Sequence, residues 1–376
     1  MVMTYKVKQS KIVKEFRCLG SECSNNCCGN WQMQLDDKRA DLYMQNPELS
    51  DSICKNNNQF MMKHDENKFC VKLENGLCSV HAKYGADMLG DACYFYPRIA
   101  RRIGDEVIIS ATLSCPEITR LMLEDEKLYN KEDAIIERMP LICKDYLPKE
   151  LNKDQAFNIH NHIINYLDNS QDFTANELLS HLISFSKSLD MIEKESWEEA
   201  IPFLLENVSG RIIAPQKLDI DPFNIINALM LVMHASRIKN HLLIEILSQI
   251  ASSLRVSIDL ENLSINCDQL SSELYNDLIK FDADDMLKKY LYAQISSNFF
   301  PFAGLGKDVS SKISSISLKF ATIRLALACH DKKDSVKVIH AISRLYDHLE
   351  SDDLLVSLFR DFNWFNESRL LGLVLT

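Results

Sequence analysis

Four cysteines fall within eleven residues near the start of the chain: Cys18, Cys23, Cys27 and Cys28, in "FRCLGSECSNNCCGNW" (Phe16–Trp31). So many thiols in one short segment must be paired by oxidation, bound to a metal centre, or buried one by one. Cys54, Cys70, Cys78, Cys93 and Cys115 follow, so nine of the twelve cysteines lie in the first 115 residues. The opening "MVMTYKVKQSKIVKEF" has lysines but no apolar leader core. The longest apolar stretch, Ile225–Met233, falls far short of the ~20 residues that span a bilayer. These features predict a cytoplasmic protein with reduced thiols, in which clustered cysteines serve metal binding or catalysis rather than disulfides.

Short loops between ligands cost little closure entropy, so Cys18, Cys23, Cys27 and Cys28 form a local ligand loop. Cys70, Cys78, Cys93 and Cys115 then arrive singly. Adjacent Cys27 and Cys28 cannot easily face one ion together, so one is expected to bind while the other packs or serves a second role. Structural zinc favours Cys-x2-Cys knuckles, and the chain has none. A four-cysteine iron–sulfur cluster tolerates irregular spacing. The order of expectation is a cluster, then zinc completed by His64 or His81, then plain buried cysteines. After Cys93 comes "DACYFYPRIARR" (Asp91–Arg102). Its arginines suit an anionic cluster or a carboxylate-bearing ligand. Asp91 and Glu117 are acid–base candidates. The alternative is an aromatic core with solvated arginines.

The composition changes near residues 123–140. Up to Asp125 there are 16 basic and 17 acidic residues, and beyond it 26 and 36, so the net charge of −11 belongs mostly to the later part. That balance argues against nucleic acid as a partner. The expected class is mainly α, in two parts. Residues 1–125 form a Cys-rich α+β metal-binding region with short hairpins, and residues 126–376 form a helical bundle. In "SVKVIHAISRLYDHLE", Val338, Ile342, Leu345 and Leu349 trace one helical stripe. Asp221–Leu254 reads as two helices broken near Lys239–Asn240, and "SWEEAIPFLLENV" and "SKISSISLKFATIRLALACH" as further helices. "FCVKLENGLCSVH" is a hairpin with Asn75-Gly76 at its tip. A two-residue turn there pairs Leu73 with Cys78 and sends Cys70 to the opposite face. A three-residue loop pairs Lys72 with Cys78 and is required if Cys70 and Cys78 share one centre.

Three segments carry a family resemblance: "FRCLGSECSNNCCGNWQMQLD", "FCVKLENGLCSVHAKYGADMLGDACYFYPR" and "ISATLSCPEITRLML". They resemble the flagellin lysine-N-methylases of motile bacteria over about 110 residues, and "LKFATIRLALACH…VIHAISRLYDHLE" extends the match more weakly. The shared positions are Cys18, Cys23, Cys27, Cys28 and Trp31; Gly76 and Cys78; Cys93, Tyr96, Pro97 and Arg98; and Ser114, Cys115, Pro116 and Glu117. Gly29-Asn30 replaces the usual order before Trp31, a departure expected to alter only a turn. Parts of the cysteine pattern also resemble putative zinc- or iron-chelating domains.

The resemblance implies methyl transfer from S-adenosylmethionine to the ε-amine of surface lysines on flagellin, beside a [4Fe–4S] cluster. The chain lacks the glycine-rich strand–helix fingerprint of doubly wound methyltransferases, since "GLG" at Gly304–Gly306 stands without its context. The Cys-x3-Cys-x2-Cys spacing of radical S-adenosylmethionine enzymes is also missing. The amine attacks as the neutral base, so a site must remove its proton and hold it in line with the donor. Tyr94, Tyr96 and Asp91 are the candidates for that proton, with Arg98 gripping the donor's carboxylate. An open cluster iron binding the donor's amino and carboxylate groups is the alternative. The competing class is a non-enzymatic chelating module that docks partners through its acidic helices.

Overall fold

The computed structural model describes residues 4–23, 25, 27–29, 33–140, 143–210, 222–235, 241–266, 280–347 and 353–375. Trp31, Lys239–Asn240, Cys267 and Leu349 lie outside them.

The first strand, β1 (Tyr5–Ser10), points Val7 into the core and turns its lysines outward, Lys8 pairing with Asp133 at 2.6 Å. It runs straight into a short helix, α1 (Lys11–Glu15), which buries Ile12 and Val13. The chain then leaves for about eighty residues and returns as a hairpin of two strands, Arg98–Ile103 and Glu106–Ala111. Its turn places Gly104 at φ +65°, the left-handed region that glycine enters freely. Glu106–Ala111 lies parallel to β1, and Lys131–Ile136 pairs antiparallel on β1's other side. The sheet therefore takes an outer strand from beyond the composition shift at residue 125. One apolar core runs from this sheet into the helices, joining Val7 and Ile108 to Leu182 and Phe320.

The excursion between β1 and the hairpin forms a small lobe. It holds β2 (Gln34–Leu35), α2 (Asp37–Gln45), β3 (Ile53–Asn56), β4 (Gln59–Met62), β5 (Leu73–Glu74), β6 (Leu77–Cys78), α3 (Ser79–Tyr84) and α4 (Asp91–Phe95). Both of its hairpins turn on two residues with positive φ, Asn57-Asn58 and Asn75-Gly76. A second apolar core, with Met33, Tyr43, Leu49, Ile53 and Val80, fills the lobe. At Asn75-Gly76 the two-residue register is the one formed, Leu73 facing Cys78. Cys70 still reaches the same region as Cys78. The chain turns between them, with Leu73 N–H donating to the Cys70 carbonyl at 2.9 Å, so strand alternation does not govern Cys70.

Past the sheet the chain is mainly helical, with a short antiparallel hairpin, Ser257–Asp259 with Ser264–Asn266. Helices Lys153–Asn169 and Ala175–Leu189 each open with a capping box, on Asn152/Gln155 and Thr174/Glu177. Asp221–Leu254 contains two helices as expected, Pro222–Ala235 and His241–Leu254, and "SWEEAIPFLLENV" contains Trp197–Ser209. Val309–Ala328 is buried almost all round, its serines included, because helices Ala175–Leu189, Ser335–Asp347, Glu367–Leu375 and Asp284–Ser297 all pack on it. Among the described residues no helix is long and apolar enough to cross a membrane.

Candidate functional site

The sheet's topology gathers the cysteines. β1 and Glu106–Ala111 are parallel, so both end at one edge of the sheet, and the antiparallel Arg98–Ile103 begins there, Arg98 facing Ala111. Cys18 leaves that edge just after α1, Cys93 arrives on α4 just before Arg98, and Cys115 follows the end of Glu106–Ala111. The lobe supplies the rest. Cys18, Cys23, Cys27, Cys28, Cys70, Cys78, Cys93 and Cys115 all line one cavity of about 660 Å3. The described cysteines are free thiols. Cys54 is exposed away from the cavity wall, and Cys329 is buried in the helical core.

Burial pushes up the thiols of Cys23, Cys70, Cys78, Cys93 and Cys115, the last to about 12, and neighbouring sulfurs add to the effect. Thiols so placed ionise together only against a compensating cation. The donor set, soft sulfur throughout, fits a thiolate-ligated centre. As the side chains stand, no three His, Cys, Asp or Glu residues among those described are spaced to hold a metal ion.

The eight sulfurs fall into neighbourhoods. Cys28, Cys70, Cys78 and Cys93 border the lobe's core, whereas Cys115 belongs to the main core. Cys27 sits at the junction and is felt by Cys78 and Cys93 on one side and by Cys23 and Cys115 on the other. A hydrogen bond between adjacent Cys27 and Cys28 lowers Cys27 to about 7 and raises Cys28. Arg344, from the helix Ser335–Asp347, favours the thiolate of Cys27 and donates Nη2 to the Gly29 carbonyl at 2.8 Å. Gly29 is a contact point rather than a turn: it bridges Phe69, and a Cβ there would lie 2.5 Å from that ring. Of the two histidines, His64 pairs its backbone with Cys70 and His81 lines the cavity.

The other sequence candidates are near the cavity but already engaged. Asp91 is buried 3.4 Å from Arg138 Nη2, which also reaches Asp36 Oδ2 at 2.9 Å. The Arg138 guanidinium lies 4.3 Å from the centre of the Tyr94 ring. Tyr96 donates its hydroxyl to the Ser114 carbonyl at 2.9 Å, and burial pushes its pKa well up, so it stays a phenol at neutral pH. Arg98 donates to the Tyr94 carbonyl at 3.1 Å and faces the Phe16 ring. Glu117 takes a two-pronged contact from Arg120, both bonds 2.8 Å.

A second cavity of about 480 Å3 adjoins the first, and Tyr96 and Arg98 line both. It is walled by Arg101, by Asn298 at the end of Asp284–Ser297, by Lys319 of Val309–Ala328 and by Asp347 of Ser335–Asp347. Gly304 of "GLG" lies on its wall at φ +120°. Sequence reasoning missed this cavity, Arg138 and Arg344. Their contacts join residues too far apart in the chain to share a motif, and nothing local marks them.

A thiol-lined cavity beside a second one that carries charged side chains is the class of site the fold defines, and comparison gives it a context. The chain is similar to lysine-N-methylases of Salmonella typhimurium and Salmonella choleraesuis. Each match is 23% identical over 230 residues, 57% of this chain and 57% of the relative. The match thus spans a little over half the length of those curated relatives. The chain is also 29% identical over 131 residues to the flagellar biosynthetic protein FliU of Salmonella muenchen, 32% of this chain and 78% of that protein. The resemblance to lysine-N-methylases read from the cysteine motifs is therefore found by direct comparison as well. No protein-family model matches the chain, and no solved structure is similar to it.

Proposed function

We propose that the protein methylates lysine side chains of flagellin, taking the methyl group from S-adenosylmethionine, at a site beside a [4Fe–4S] cluster. The observation that carries this reading is the convergence of eight cysteines on one cavity that shares a wall with a second one, which carries several charged side chains. The relatives' names, lysine-N-methylase and a flagellar biosynthetic protein, support lysine methylation and a flagellar context for it. Cys28, Cys70, Cys78 and Cys93 are the thiolates assigned to the cluster, because they face one pocket in the lobe and influence one another. A bound cluster would supply Lewis-acidic iron and an electron reservoir.

The chain's own residues have the following parts. Tyr96, on the shared wall, stands as a phenol whose proton is committed to Ser114, so it orients rather than abstracts. Asp91, held by Arg138, fixes α4 and with it Cys93. Arg98 places positive charge between the cavities, and the largely apolar walls favour the neutral form of an entering amine.

The competing reading is a non-enzymatic zinc- or iron-chelating module, which the same thiol-lined cavity would also serve. Anaerobic purification separates the two. Brown protein with about four irons and four sulfides per chain, which labels flagellin lysines from isotopic S-adenosylmethionine, supports the first. Colourless zinc protein without transfer refutes it.

A further inference from the structure

The guanidinium of Arg101 reaches the second cavity from the strand Arg98–Ile103. Its Nη2 donates to Asn298 Oδ1 at 2.7 Å. Its Nε is sealed from solvent without a hydrogen-bond partner, and no carboxylate among the described residues forms an ion pair with it. The cavity's two acids are engaged elsewhere. Asp347 accepts from Lys319 Nζ at 2.8 Å and Thr112 Oγ1 at 2.5 Å, and Asp91 belongs to Arg138. A guanidinium cannot shed its charge, and a sequestered cation with an unused donor is costly unless an anion completes it. The lining also carries Arg98 and Lys312, so positive charge exceeds negative there. Its volume of about 480 Å3 lies in the range of small-molecule sites.

We infer that this cavity receives the amino-acid end of the methyl donor, with Arg101, rather than Arg98, holding its carboxylate. Arg98 is occupied by the Tyr94 carbonyl and the Phe16 face. The guanidinium fork is suited to a planar carboxylate, and Arg101 lines the cavity with its charge unpaired by any carboxylate among the described residues. The donor's remaining length would then extend along the cavity toward the wall formed by Tyr96. The inference rests on the methyl-transfer reading above and adds to it the location and polarity of the donor.

The test compares wild type, Arg101→Gln and Arg101→Lys as anaerobically purified full chains. Each is titrated by calorimetry with S-adenosylmethionine and with its decarboxylated analogue. Wild type should prefer the carboxylate-bearing ligand by on the order of 10- to 100-fold. Arg101→Gln should lose that preference while binding the analogue as before, and Arg101→Lys should recover part of it. The melting temperature without ligand should stay level or rise in Arg101→Gln, because an uncompensated charge is gone. A merely structural arginine would instead lower it and weaken both ligands equally, which overturns the inference. Unchanged donor affinity in Arg101→Gln, with wild type active, overturns the inference alone. Wild type that neither binds nor transfers overturns the methyl-transfer reading with it.

Discussion

Gly29→Ala tests whether the cysteine loop is clamped as the structure shows. An alanine methyl would stand 2.5 Å from Phe69 Cδ1 and 2.7 Å from Cε1. Ordinary contact begins near 3.4 Å, so the ring must retreat by about 1 Å. Overpacking of this size costs ~1–3 kcal/mol. The ring is half-buried and can swing, which favours the lower part of that range. The retreat also strains the bridge around Gly29. Cys70 N–H donates to the Cys28 carbonyl at 2.8 Å, and Arg344 Nη2 donates to the Gly29 carbonyl at 2.8 Å. Partial loss of these bonds adds ~1 kcal/mol, bringing the expected loss to about 2–3 kcal/mol.

Equilibrium urea unfolding under anaerobic, reducing conditions measures it. Alkylation of Cys28 and Cys70, followed by mass spectrometry, should speed up at least tenfold as the bridge opens. Adding Phe69→Ala supplies the control: the double variant should be more stable than the two single losses predict, by ~1 kcal/mol or more. A Gly29→Ala protein within 0.5 kcal/mol of wild type (about the noise of such comparisons) would refute the clamp. So would strictly additive losses in the double variant.

Other consequences can be measured separately. Arg138→Met leaves the buried carboxylates of Asp36 and Asp91 without their shared partner and should destabilise the fold by ~3–5 kcal/mol in urea unfolding. Burial, with Arg344 assisting, holds His340 at about 4, below its ordinary 6.5. The folded protein therefore resists the proton that the unfolded chain takes up. Stability is full above pH 6.5 and falls by about 3 kcal/mol as the pH drops to 4, a slope that His340→Leu should flatten. Cys54→Ser and Cys329→Ser, both outside the thiol cavity, should leave iron content unchanged in the purified protein.

The sequence led us to expect Cys18, Cys23, Cys27, Cys28, Cys70, Cys78, Cys93 and Cys115 in one place, and all eight line one cavity. The sequence also marked the Asn75-Gly76 turn. It could not reveal that a further turn after Cys70 removes that residue from the strand's alternation, so the register argument pointed the wrong way. Gly29 looked like a turn residue because its partner, Phe69, lies forty residues on. Arg344 gave no local signal either: it follows the apolar stripe of its helix, yet it reaches the cysteine loop more than three hundred residues earlier. The second cavity was illegible for the same reason, since its wall joins Arg98–Ile103 to the helices near residues 298, 319 and 347. Motifs of residue type survive in one dimension, whereas charge pairing across the chain does not.

The Cys27–Cys28 pair is where the site divides, and the division has a measurable consequence. The two thiols bond to each other but have different reach: Cys28 neighbours Cys78 and Cys93, whereas Cys27, at the junction, also neighbours Cys23, Cys115 and Arg344. If the lobe's quartet holds a single four-iron cluster, Cys28, Cys70, Cys78 and Cys93 should resist alkylation in the loaded protein. Cys18, Cys23 and Cys27 should remain open to it, and removing the iron should expose the first four together. Cys28→Ser should then deplete iron, while Cys27→Ser should retain it. The reverse result, iron lost with Cys27 and kept without Cys28, would place the centre on the loop side beside Arg344. Iron-dependent protection of Cys18, Cys23 and Cys27 as well would show two centres where one is assigned. Either pattern would overturn the quartet, because ligation ties the fate of each thiol to the iron it binds.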